Sequence, residues 1–166
     1  MALRDVLKRA LTRAGLPPFV PGNRVEVLVD GGPFFARFLE AIREAKRYVF
    51  LESYIVEADT TGWKIAKALA ERAREGVEVA FIIDAYGSLT LDPEYIDFLR
   101  EAGVKVMNFR PIWKWTKGVP FWRKRNHRKL LVIDGDVGIV GGMNIFDHYA
   151  AVEDGGQGWH DCAVKI

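Results

Sequence analysis

The 166-residue sequence predicts an α/β fold: a mixed, largely parallel sheet sandwiched by helices. Three observations predict it. Apolar residues switch repeatedly between period-two and helical spacing from Val25 to Phe109, the signature of alternating strands and helices. Two later apolar runs flank Asp134-Gly135-Asp136, which reads as a hairpin turn with Gly135 taking the positive φ, and so adds antiparallel pairing. Nearly half the residues are apolar and charge content is ordinary, so one core can bury enough surface to fold as a single domain.

The elements follow in order. Leu3, Val6, Leu7, Ala10, Leu11 and Ala14 recur at helical spacing, with Arg4, Lys8, Arg9 and Arg13 around them and Gly15 as the stop. This basic amphipathic helix suits an anionic membrane surface or ordinary packing on the domain. Pro17, Pro18, Pro21 and Gly22 make a linker, so residues 1–22 precede a domain spanning 23–166. Val25, Val27 and Val29 alternate as a strand, and Gly31-Gly32-Pro33 opens a helix striped by Phe35, Phe38, Leu39 and Ile42. Tyr48 to Val56 is a strand, Thr61 to Glu75 a helix and Val77 to Ile83 a strand. Asp92-Pro93 then supplies an N-cap and first-turn pair for a helix before a strand from Val104 to Phe109.

The chemistry concentrates in one later stretch. His127-Arg128-Lys129 opens an apolar strand; residues two apart share a face, so the imidazole and the ammonium project side by side. Leu131 and Ile133 continue that face. Four residues separate Lys129 from Asp134, and six more lead to Gly141-Gly142-Met143-Asn144. Taken singly, a His in an apolar strand is a core residue and a Lys a solvated edge; the joint spacing argues for a site.

His-x-Lys, four residues, Asp, six residues, Gly-Gly-x-Asn resembles the signature of the phospholipase D superfamily, and its Gly-Gly variant resembles the cardiolipin synthase branch. Leu51-Glu52-Ser53-Tyr54-Ile55, Ile82 to Ser88, Ala102-Gly103-Val104 and Trp159-His160-Asp161 fit the same branch in order, from about Arg24 to Ile166. The resemblance implies a phospholipase D/nuclease-like half-fold and a phosphatidyltransferase that moves a phosphatidyl group between phosphatidylglycerol molecules. It implies His127 as the nucleophile, giving a phosphohistidine and releasing glycerol. It also implies that Asp161 accepts a hydrogen bond from an active-site imidazole; as a bare residue, Asp161 reads equally as a turn carboxylate.

These residue types suit a phosphodiester, which has an anionic centre and a poor leaving group. A neutral imidazole attacks, Lys129 supplies a point charge, Asn144 donates an N–H to a phosphate oxygen, and Gly141 and Gly142 admit the backbone closely. The scheme calls for no metal and no cofactor. Asp134 joins the catalytic set by motif, with a mainly structural role as hairpin chemistry. Glu52 faces inward on an apolar strand and needs a partner, which makes it a candidate substrate contact. Asp84, Tyr86, Gly87 and Ser88 end a parallel strand, where ligand crevices form, but the preferred reading is a plain turn.

From Arg110 to Lys129 there is no acidic residue, and Lys114, Lys117, Arg123, Lys124 and Arg125 are interleaved with Trp113, Trp115, Phe121 and Trp122. Three tryptophans within ten positions favour a phospholipid headgroup, with Trp113, Trp115, Trp122 and Arg125 as contacts. The same recipe suits single-stranded nucleic acid, or a surface loop packed onto the sheet.

One motif copy is half of what the superfamily uses. His148 and His160 lack the spacing. The apolar run 161–166 favours the N-terminal half of a two-motif enzyme, with a homodimer as the other way to assemble two motifs. The alternatives are a phospholipase D-like phosphodiesterase or metal-independent nuclease acting as a homodimer, and a non-catalytic lipid-binding or dimerisation module. The single Cys162, the absence of a signal-like segment and the lack of any run near twenty apolar residues predict a cytoplasmic protein, peripheral at the inner face of the cell membrane.

Overall fold

The computed structural model describes residues 3–15, 20–111 and 124–166. After α1 (Leu3–Arg13), the domain proper runs β1 (Glu26–Val29), α2 (Gly31–Glu44), β2 (Tyr48–Ser53), α3 (Thr60–Arg74), β3 (Glu78–Asp84), α4 (Pro93–Glu101) and β4 (Lys105–Phe109). It continues with β5 (Leu130–Ile133), β6 (Val137–Gly141), a short 3-10 turn and β7 (Cys162–Lys165). Among the described residues, seven strands form one sheet in the order β1-β7-β6-β5-β2-β3-β4.

The mixed α/β class holds, but the balance of the sheet differs from expectation. Only β2–β3 and β3–β4 pair in parallel, through the α3 and α4 crossovers. Every other neighbour is antiparallel, so the sheet is mostly antiparallel. The strand–helix alternation that reads as parallel extends into β1, yet β1 lies on the far edge beside β7 and never touches β2. A hairpin then sends β5 back along β2. Asp134 and Gly135 both take positive φ, 56° and 82°, as a primed hairpin turn requires.

The layering also departs from a sandwich among the described residues. Parallel crossovers running one way along a sheet place their helices on one face. Accordingly α2, α3 and α4 share a core with Leu28, Val49, Leu51, Val79, Phe81, Ile83, Leu131, Ile133, Ile139 and Ala163. The opposite face carries Val27, Val29, Phe50, Met107 and Val140, which stay exposed. Val27 and Val29 are therefore a surface row, and Leu28 between them is the core residue of β1. α1 leaves Leu3, Val6 and Leu7 exposed, so its apolar stripe faces outward. No helix among the described residues is long and apolar enough to cross a membrane.

Strand direction places the site. β1, β2, β3, β4 and β6 end at the edge where β5 and β7 begin. Tyr54, Asp84, Asn126 to Lys129, Gly142 to Asn144 and Asp161 therefore meet at that edge although they come from distant parts of the chain. Asp134, at the other end of β5, is about 20 Å of extended chain away from His127.

Candidate active site

His127 and Lys129 lie in the extended segment that leads into β5, on the parity that carries Leu131 and Ile133 into the core. Lys129 is only 9 % exposed, whereas His127 is open to solvent. The Lys129 Nζ sits 3.2 Å from His127 Nδ1 and 3.2 Å from Nε2, and donates to the His127 carbonyl oxygen at 3.0 Å. Imidazole and ammonium thus share one spot with an opening to it. Burial pulls the Lys129 pKa below the ordinary lysine value, and the nearby Asp161 carboxylate opposes that pull.

Asn144 is buried, and its Oδ1 accepts the Ile55 N–H at 3.1 Å, which fixes the amide with its NH2 as the donor side. Burial raises the Tyr149 pKa, and the nearby Asp161 charge adds to the effect. The Asp161 carboxylate accepts the Cys162 N–H at 2.7 Å. Gly141 and Gly142 have a steric reason. A Cβ on Gly141 would meet Ala163 Cβ at 2.5 Å, and one on Gly142 would meet the Asp161 carboxylate.

Several expected contacts take other roles. Asp134 is not at the site: its carboxylate accepts the N–H groups of Lys46, Arg47 and Tyr48, each at 2.8 Å, while the Arg47 side chain bonds its carbonyl. It ties the hairpin to the start of β2. Glu52 has the partner that its inward position calls for: its Oε2 accepts Asn126 Nδ2 at 2.8 Å and lies 3.7 Å from Arg128. Arg125 reaches Asp84 at 3.4 Å with both side chains almost sealed, so it is committed inside the fold instead of facing a headgroup. Trp113, Trp115 and Trp122 lie outside the described residues. His160 pairs with Asp30 at 2.6 Å and His148 stacks on Trp159, so neither adds a second imidazole to this spot.

Residues 38–153 match the family described as "Cardiolipin synthase, PLD-like domain". The chain belongs to that family. It is 38 % identical over 167 residues to a cardiolipin synthase of Alkalihalophilus pseudofirmus, an alignment covering 98 % of this chain and 32 % of that protein. The chain spans about a third of the length of the curated relatives it matches. In fold it is similar to phosphatidylserine synthase from Haemophilus influenzae, with a TM-score of 0.72 at 21 % identity, over 96 % of this chain and 37 % of that one. It is also similar to Nuc from Salmonella typhimurium, a phospholipase D family member, with a TM-score of 0.60 at 20 % identity, over 86 % of this chain and 83 % of that one.

Within this PLD-like domain the geometry brings in residues that sequence reasoning passed over. Asp84, expected as part of a plain turn, is fully buried and accepts the N–H groups of Tyr86, Gly87 and Asn126 at 2.9, 3.2 and 2.9 Å. Asn126 is held on three sides: its N–H by Asp84, its amide by Glu52, and its Oδ1 by the Arg128 N–H at 3.3 Å. The residue before the candidate nucleophile is therefore clamped to β2 and β3. Its adjacency to His127 was the one available signal. Tyr149 had none, because its meeting with Asp161 depends on β7 returning beside β6.

Proposed function

We propose that this chain is one motif-bearing half of a phosphatidyltransferase of cardiolipin synthase type. A ring nitrogen of His127 attacks the phosphorus of phosphatidylglycerol, and the bond from phosphorus to the glycerol oxygen breaks. The departing glycerol takes its proton from the second motif. A hydroxyl of another phosphatidylglycerol then attacks the phosphohistidine and gives its proton back to the second motif, the P–N bond breaks, and cardiolipin leaves. Lys129 and the Asn144 amide spread the charge on the phosphoryl oxygens, the kind of preorganised donor set that dominates such catalysis.

The observation that carries this reading is the Lys129 ammonium 3.2 Å from the His127 ring, beside Asn144 and Asp161 at one sheet edge. The second imidazole is supplied by further chain, as the length of the relatives suggests, or by a second copy. The exposed stripe of Leu3, Val6 and Leu7 on a basic helix suits peripheral binding to anionic lipid at the inner face of the cell membrane.

The test is headgroup exchange by the complete enzyme on phosphatidylglycerol vesicles. Cardiolipin and glycerol should form in equal amounts, and a His127→Ala variant should form neither. Equal product from both proteins would overturn the assignment. Phosphatidic acid in place of cardiolipin would make water the acceptor and the protein a phosphodiesterase.

A further inference from the structure

Tyr54 follows β2 directly, and one ring touches both members of the candidate catalytic pair. Its centroid is 4.6 Å from that of the His127 imidazole, at 56°, and the Lys129 Nζ lies 5.3 Å from the same centroid. An aromatic face attracts a cation, most strongly where water is scarce, and Lys129 is largely shielded from water.

The turn after β3 is shaped to hold that ring. Ser88 Oγ donates to the Tyr54 carbonyl at 3.1 Å and accepts the Val56 N–H at 2.9 Å, so the backbone is fixed on both sides of the ring-bearing residue. A Cβ on Gly87 would fall 2.2 Å from the Tyr54 carbonyl oxygen and 2.8 Å from its Cδ2. Only glycine lets the tyrosine lie where it does. Asp84 in turn accepts the Tyr86 and Gly87 N–H groups and fixes the turn. Burial, then the charge of Asp84, raises the Tyr54 pKa, so the ring stays neutral when Lys129 is charged.

We infer that Tyr54 is a positioning residue for the transfer, its ring being the common seat of the His127 imidazole and the Lys129 ammonium, with Gly87 as the space that admits it. The inference rests on the function proposed above. The groups that face Lys129 are then His127 on its own segment, Tyr54 after β2, and Asp161 before β7, with Tyr149 acting through Asp161. Glu52 lines a small cavity together with Lys129, with Oε2 engaged by Asn126.

The experiment follows phosphohistidine formation per folded molecule in the complete enzyme across pH, comparing wild type with Tyr54→Phe, Tyr54→Leu, Gly87→Ala and His127→Ala. Tyr54→Phe keeps the ring and should keep both rate and pH profile. Tyr54→Leu should slow phosphoenzyme formation by about tenfold and move the alkaline limb down by about one pH unit, because the ammonium loses its aromatic partner. Gly87→Ala, which displaces the ring without changing its chemistry, should move the limb the same way. Normalising to folded protein removes any loss of stability, which cannot shift a limb. If Tyr54→Leu and Gly87→Ala keep the wild-type rate and limb while His127→Ala is dead, the seat is wrong and the transferase reading stands. Loss in Tyr54→Phe equal to that in Tyr54→Leu would assign the effect to the hydroxyl and overturn the inference. A fully active His127→Ala would instead sink the underlying function.

Discussion

A Cβ placed on Gly142 would lie 2.5 Å from both carboxylate oxygens of Asp161, so the second glycine of the Gly-Gly pair exists to let that carboxylate approach the β6 end. The same carboxylate supports the charge of Lys129 and raises the pKa of Tyr149. Gly142→Ala should therefore act through Asp161. Carboxylate displacement costs transfer rate, by about tenfold to a hundredfold if one aligned electrostatic contact is lost. The melting temperature should move far less than activity, because Gly142 is exposed and lies outside the core. A Gly142→Ala enzyme with wild-type turnover would show that the position of Asp161 is immaterial.

Lys129 makes a pH prediction with two opposed signs. Burial holds its pKa below the ordinary lysine value, and Asp161 pulls it back up. If the ammonium is the working form, activity falls as pH rises through a value below about 10.4. Stability moves the other way: between the lowered folded value and the unfolded one, the unfolded chain binds more protons at this site. The contribution of Lys129 to stability therefore increases with pH there. A rate that falls while the domain does not melt is the expected result, read by parallel activity and denaturation profiles. Asp161→Asn should bring the alkaline limb further down.

The site was legible where it is local. His127, Lys129 and Asn144 stand in one continuous stretch, and strand parity alone puts the first two together. The partners of Glu52 and Arg125 were not legible because they come from elsewhere: a carboxylate on β2 meets Asn126, and a guanidinium meets Asp84 at the end of β3. Neither pairing has a period or a spacing. The parallel bias of the expected sheet has the same origin. Alternating strand and helix describes β2, β3 and β4 well, but nothing in the sequence of β1 says that its neighbour is β7 at the other end of the chain. Tyr54 stands in a matching segment that assigns it no role, since a ring contact needs three dimensions.

Asp134 should separate stability from catalysis. Burial would raise its pKa, but the N–H groups of Tyr48, Lys46 and Arg47 and the charge of Arg47 bring it below the usual carboxylate value. A depressed folded value stabilises above the unfolded pKa of about 3.9, and that stability is lost as pH falls through the folded value. Asp134→Asn tolerates the positive φ yet loses the charge, so at neutral pH it should lower stability by about 1–2 kcal/mol. The deficit should shrink in acid, where wild-type Asp134 is protonated as well. Turnover per folded molecule should be unchanged, because the residue lies at the opposite edge of the sheet from His127. A selective loss of turnover would return Asp134 to the catalytic set.

Asp84 should be the more costly carboxylate to remove. It is fully buried, accepts three backbone N–H groups and pairs with Arg125, which is itself nearly sealed. Deleting it leaves those N–H donors without their acceptor and removes the carboxylate that balances the Arg125 charge in a low-dielectric setting, a loss of about 3–5 kcal/mol by comparison with other broken buried pairs. Removing Arg125 instead leaves Asp84 with its backbone donors, so Arg125→Ala should cost less than Asp84→Ala, although both break the same ion pair. Urea denaturation of the two single variants and the double variant would read this ordering. If the pair itself carried the energy, the two single losses would be equal. The expected asymmetry would assign the energy to the clamp on Tyr86, Gly87 and Asn126, and so to the backbone that presents His127.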